Sequence, residues 1–212
     1  MRTQTLLITA ALGAAGALTS MAQTVYSVNA VGYINVDLCP GFSIVANQLD
    51  AGEGNNIVSK LLAGVPENTI VYKFNATTGA YGVNTFEFGE WTNPNETLAP
   101  GEAAFVKVPS QTKVTFVGEV PQGILSVPML AGFNMVSSKV PQAGAIDTVL
   151  GFPVAENDVV YQFVCATQSY KIGTYEFGEW SPAPAPAIAV GEGFFVKKAA
   201  AGVWTRDFSV NN

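Results

Sequence analysis

Four glutamates carry the spacing that could do chemistry. Glu87 and Glu90 stand three residues apart in TFEFGEW (residues 85–91), and Glu176 and Glu179 do so in TYEFGEW (residues 174–180). Paired carboxylates are the equipment of glycoside hydrolysis, where they sit about 5 Å apart in retaining enzymes and about 6.5–9.5 Å apart in inverting ones, on opposite sides of the sugar. Carboxylates of one strand stand side by side and do not oppose each other across a cleft. An enzyme also has little use for two intact half-size copies of one site. The pairs therefore read as non-catalytic, and the chain as not an enzyme.

Other reactive constellations are missing from the sequence. It has no histidine, which removes Ser-His-Asp and Cys-His nucleophile systems and the usual zinc sites. GEG at residues 191–193 lacks a following GKS or GKT and leads into a strand pattern, so it is not a phosphate cradle. No Asp-x-Asp-x-Asp-Gly loop offers a calcium site. No cofactor and no metal is implied.

The heptads read instead as scaffold. In an unbroken strand Phe86, Phe88 and Glu90 would share a face and bury a carboxylate, which is costly. A bulge at Gly89 would flip the alternation, sending Phe86, Phe88 and Trp91 to the core and Glu87 and Glu90 to solvent. Tyr175, Phe177, Gly178 and Trp180 predict the same arrangement, with Glu176 and Glu179 outside.

The elements that position these motifs come in two copies. GYINVDLCPGF (residues 32–42) aligns with GILSVPMLAGF (residues 123–133), TIVYKF (69–74) with DVVYQF (158–163), and GEAAFVK (101–107) with GEGFFVK (191–197). The order is kept and the offset stays between 89 and 91, as expected for a duplication. Ahead of the copies, Arg2, the apolar run from Leu6 to Leu18, and Ser20 and Ala22 before Gln23 make a signal peptide. That run is shorter than the roughly 20 residues a membrane span needs. The predicted organisation is a signal peptide at 1–22 and two β-sandwich-like repeats at 23–118 and 119–212.

Period-two alternation in TIVYKF and DVVYQF, with AFVK and VTFVGEV, predicts an all-β fold of six or seven strands per repeat. One short helix is expected in each: over NNIVSKLLAGV, capped by Asn56 and ended by Gly64, and again around Ile146, Val149 and Leu150. SPAPAPAIAVG (residues 181–191) reads as a stiff, polyproline-like surface loop. Cys39 and Cys165 face Leu130 and Ala76 in the alignment, so they are not a repeated staple. Two separately buried thiols are expected, with a single inter-repeat bridge as the alternative.

At GFSIVANQL, TIVYKF, FGEW and GEGFFV the chain resembles a group of exported bacterial proteins built from two such units. More distantly it resembles the surface-protein module that opens on a Gly-Trp-Asn-Leu-Ile-like strand and closes on a Gly-Tyr-Trp-Val-like strand. Phe42 and Phe133 replace the Trp of that module, and Phe194–Phe195 its Tyr-Trp. The resemblance implies export, duplication and a non-catalytic β module of the surface-layer type.

Composition narrows the partners. Sixteen Asp and Glu face ten Lys and Arg, a formal net charge of −6, and cleavage would remove Arg2 as well. Such a chain is poorly suited to nucleic acid or anionic membrane. After signal cleavage it is expected to be secreted or held at the cell surface without membrane insertion. The expected role is a structural or self-associating surface or matrix component. Its ends, QTVYSVNAVGY and TRDFSVNN, look like halves of one more strand junction, which suggests head-to-tail association with a neighbour's strand edge. The alternative is polysaccharide binding by aromatic faces, with Trp204, Tyr81 and Tyr170 as candidates and Trp91 and Trp180 pointing inward.

Overall fold

The structure, a computed structural model, describes residues 30–211. The signal peptide expected at 1–22, and the first residues of the unit beginning at 23, lie outside the described residues. The fold is mainly β, built from antiparallel sheets in a sandwich-like arrangement.

In the first half, β1 (Val31–Leu38) and β7 (Thr112–Glu119) form a ribbon paired from Val31 opposite Glu119 to Leu38 opposite Thr112. The remaining strands make a five-stranded sheet. Its order is β2 (Gly41–Val45), β6 (Ala104–Val108), β3 (Thr69–Asn75), β4 (Ala80–Glu87) and β5 (Glu90–Trp91). In the second half, β8 (Gly123–Met129) pairs with β16 (Gly202–Phe208). The second five-stranded sheet runs β9 (Gly132–Val136), β15 (Phe194–Lys198), β11 (Val159–Val164), β12 (Ser169–Glu176) and β13 (Glu179–Ser181). A small pairing of β10 (Gly144–Ala145) with β14 (Ala187–Ile188) completes it.

The helices differ from expectation. The first half has only the single turn α1 (Val58–Leu61), whose N-cap is Ile57 without a side-chain cap. Asn56 is engaged elsewhere: its Oδ1 accepts from Asn47 Nδ2 and the Ala51 N–H, and its Nδ2 donates to Asp50. The corresponding residues 146–150 form turns and no helix. In both places apolar burial is met by one turn of chain, with Val58, Leu61, Ile146 and Leu150 buried.

Alternation along the strands gives each five-stranded sheet two apolar faces. On β6, Ala104, Val106 and Val108 pack with Ile34, Leu38, Val114 and Phe116 of the β1–β7 ribbon, while Phe105 points the other way. On β15, Phe194 and Val196 join the core beneath the β8–β16 ribbon, and Phe195 points away from it. A sheet with two apolar faces must be covered on both. The outward rings therefore meet between the sheets as a third core, with Ile44, Ala46, Ala103, Phe105, Met135 and Phe195 at its centre. The approach there is close: a Cβ on Gly193 would stand 2.4 Å from the Ala103 Cβ.

Cys39 and Cys165 are joined, Cα to Cα 5.7 Å apart, across 126 residues of sequence. This corrects the expectation of two separate thiols. The turn between β1 and β2 meets the turn between β11 and β12, so the bridge clasps the two halves. Cross-linking a loop of that length removes much denatured-state entropy, worth on the order of 3–5 kcal/mol. The Cys39→Ser/Cys165→Ser variant should lose about that much in a urea titration. An unchanged midpoint would mean the clasp holds nothing the packing does not.

Candidate functional site

The heptads are hairpin tips. Glu87 and Glu90 are cross-strand partners on β4 and β5, and the two residues between them, Phe88 and Gly89, form the turn. Both have positive φ, 56° and 80°, as do Phe177 and Gly178 at 56° and 79°. This is the two-residue primed turn that suits the twist of a hairpin, and it replaces the expected bulge at Gly89 and Gly178. The consequence for the aromatics is large. Phe86 and Trp91 pack together, ring centroids 5.3 Å apart, and Tyr175 and Trp180 do so at 5.4 Å. Phe88 and Phe177 do not face the core as expected: they are 97% and 96% exposed.

A carboxylate from a preceding loop holds each tip. Phe88 N–H donates to Glu67 Oε2 and Gly89 N–H to Glu67 Oε1, both at 2.8 Å. Glu156 repeats the clamp on Phe177 and Gly178, at 2.9 and 2.7 Å. Each tip thus gathers three exposed glutamates: 67, 87 and 90 on one, 156, 176 and 179 on the other. Like charges directly across a strand pair are destabilising, and a bulky residue at positive φ is strained. A fully exposed phenyl ring gains no burial in return. The tip's composition works against the stability of the fold. The four heptad glutamates are exposed beside two hairpin turns, and none of them lines the clefts between the sheets.

Trp204 does not present its ring at the surface, as a sugar platform would. It is 3% exposed, packed edge-on against Phe152 at 5.2 Å, and its indole N–H donates to the Leu150 carbonyl at 3.1 Å. Trp91 and Trp180 are also buried, the latter donating to Asp147 Oδ2 at 2.8 Å. The buried Asp158, bound by Lys198 and the Ala155 and Ala199 N–H groups, is likewise sealed from solvent. Among the described residues no group of three acidic or sulfur side chains is placed to hold a metal ion.

Tyr81 and Tyr170 fare differently. They are 45% and 42% exposed and lie at the seam between the sheets, where ten rings meet. The distances repeat across the seam as if about a two-fold axis. Phe42–Tyr72 is 5.8 Å and Phe133–Tyr161 is 5.7 Å; Phe74–Tyr81 is 5.3 Å and Phe163–Tyr170 is 5.2 Å. Across the interface, Phe74–Phe195 and Phe105–Phe163 are both 5.2 Å. Burial pushes both tyrosine hydroxyls above their ordinary range, and for Tyr170 the neighbouring Tyr81 adds to the shift.

The axis breaks where the two seams are finished. On one side the disulfide closes the seam, and Gln168 spans it: its Oε1 accepts from Phe42 N–H at 2.8 Å and its Nε2 donates to Phe42 O at 2.9 Å. The remaining niche there, between Phe42, Tyr72, Tyr81, Phe105 and Phe163, measures about 330 Å³. On the other side Leu130, Ala76 and Gly79 stand where the first has Cys39, Cys165 and Gln168. That seam is open as a cleft of about 570 Å³ walled by Phe74, Tyr81, Phe133, Tyr161, Tyr170 and Phe195. A second cleft of about 620 Å³ continues from it past Phe74 and Ala76 to Lys73, Glu96, Glu102 and Lys139.

Sequence reasoning named Tyr81 and Tyr170 but missed their companions. The signal was present in IVYKF and VVYQF, where both parities of the strand are apolar, the mark of a sheet covered on both sides.

If the tips oppose stability, relieving them should show it. Phe88→Asn and Phe177→Asn place the residue preferred at this turn position and should each raise stability by about 1 kcal/mol. Chemical denaturation measures this, and a loss of stability in either variant would mean the ring contributes to the fold. The chain matches no protein-family model, no curated protein and no solved structure.

Proposed function

We propose that this chain is an exported, non-enzymatic component of a cell surface or extracellular matrix, a duplicated β unit whose copies associate through their hairpin tips. The observation that carries the reading is the pair of tips. Each holds an exposed phenylalanine in a strained backbone conformation, clamped by a glutamate and flanked by two more. A fold gains nothing from that construction, whereas an anchor residue at a contact does. Burying one phenyl ring is worth roughly 1.5–3 kcal/mol, a contribution on the scale of weak association.

The equal strand order of the two five-stranded sheets supports the duplication, and the single clasping disulfide suits an oxidising compartment outside the cytosol. The resemblance to two-unit exported proteins and to surface-layer modules points the same way. Strand addition by the N-terminal segment is not the route proposed: residues 31–38 pair along one edge with β7, and residues 23–29 lie outside the described residues.

Carbohydrate binding is the second reading, favoured by the half-exposed Tyr81 and Tyr170 in one cleft. Against it, the residues walling the aromatic cleft offer no carboxylate or amide side chain to orient a sugar's hydroxyl groups.

Light scattering of the purified mature chain over a concentration series tests the proposal. The wild-type average mass should rise with concentration. Phe88→Asn/Phe177→Asn should stay monomeric. A wild type that remains monomeric, or a variant that associates equally, would remove the reading. A glycan array response lost on Tyr170→Ala would replace it with the second.

A further inference from the structure

We infer that the open aromatic cleft between the two sheets is the socket that receives a hairpin tip of a second copy. The inference rests on tip-mediated association and adds the receiving surface. Three observations join the two. The tip presents a phenyl ring with no ring or core partner among the described residues, and the cleft presents a wall of rings with space of about 570 Å³ between them. That lies within the roughly 300–1,000 Å³ of sites that enclose a small ligand, so a ring and the turn beneath it have room.

Charge is also complementary. None of the cleft's lining residues is charged, but the Lys197 ammonium stands 6.0 Å from the centroid of the Phe133 ring, on the cleft wall. No ion pair holds Lys197 among the described residues. The three glutamates surrounding an inserted phenylalanine would meet that cation. Edge-to-face packing of the incoming ring on Phe133, Tyr161 or Phe195 continues the geometry that the seam already uses.

The broken symmetry gives the third observation. The seam related to the socket is filled by Gln168, whose φ is 51°; Gly79, at the matching turn position of the open seam, has φ 69° and nothing within 4 Å of its would-be Cβ. The same fold thus shows one seam closed by a side chain and one left open. A tip entering a cleft elsewhere on a second copy is a heterologous contact, which builds rings where the rotation closes and open-ended chains where it does not.

Gly79→Gln should close the socket by bonding Phe133 as Gln168 bonds Phe42. Ile172→Glu, at an exposed position of the cleft wall, should repel the acidic tips without touching the core. Both variants should fold, as circular dichroism and thermal melting would report, and both should associate at least tenfold more weakly than wild type in sedimentation velocity. Mixing is the sharper arm. Phe88→Asn/Phe177→Asn keeps a socket and has no ring at its tips, whereas Gly79→Gln keeps two tips and has no socket. Together they should form finite complexes of at most three chains, although neither associates alone.

If the tip variant loses association and both cleft variants keep it, tips still mediate assembly but the socket lies elsewhere, and this inference falls alone. If none of the variants changes association, both readings fall. An oligosaccharide that binds the tip variant and is lost on Gly79→Gln, with self-association unaffected, would assign the cleft to a sugar and overturn the inference.

Discussion

The packing of two sheets through ten aromatic rings is the constraint on which the rest of this molecule depends. Each five-stranded sheet carries apolar residues at both parities of its central strands. One face is satisfied by the ribbon formed from its own first and last strands, Ile34 and Phe116 in one half, Val127 and Trp204 in the other. The second face of each sheet has only the other sheet to cover it. Exposed, Phe74, Phe105, Phe163 and Phe195 would form a patch of the kind that monomeric proteins rarely leave open. Joined, they make a core whose centre is tight enough that Gly193 has no room for a methyl group. The disulfide ties two turns at the edge of this packing.

That same packing sets up a structural asymmetry. Rings arranged about an approximate two-fold axis produce two equivalent seams. Small differences at their edges then decide which is sealed. Cys39, Cys165 and Gln168 finish one seam, and Leu130, Ala76 and Gly79 leave the other open. The tips lie at the far end of the β4–β5 and β12–β13 hairpins and are released from this logic. Their glutamate clamps satisfy the turn amides, and the phenylalanines between them are exposed.

Much of this was legible in the sequence. Alternation in TIVYKF and DVVYQF indicated strands, and a count of apolar positions on both parities would have indicated sheets with two covered faces. The heptads were harder. A bulge and a two-residue hairpin both reverse the alternation after Gly89, and they place Phe86, Glu87, Glu90 and Trp91 identically. They differ only at Phe88: the bulge directs it to the core, whereas the hairpin turn places it at positive φ and full exposure, against both steric and hydrophobic preference. Residues 146–150 kept a helical spacing of Ile146, Val149 and Leu150, yet formed turns, because too short a helix gains little from nucleation. Trp204 is a different case: a large aromatic ring can fill a core as readily as mark a binding surface, and here it packs on Phe152.

Hydrogen exchange followed by mass spectrometry across a series of urea concentrations, with the disulfide reduced, tests the ring packing most directly. If the rings join the sheets into one cooperative body, peptides from residues 69–75 and 159–164 should lose protection together, at one urea concentration. Protection that disappears from one sheet while the other remains closed would contradict the account, because each sheet would then be stable with its aromatic face bare.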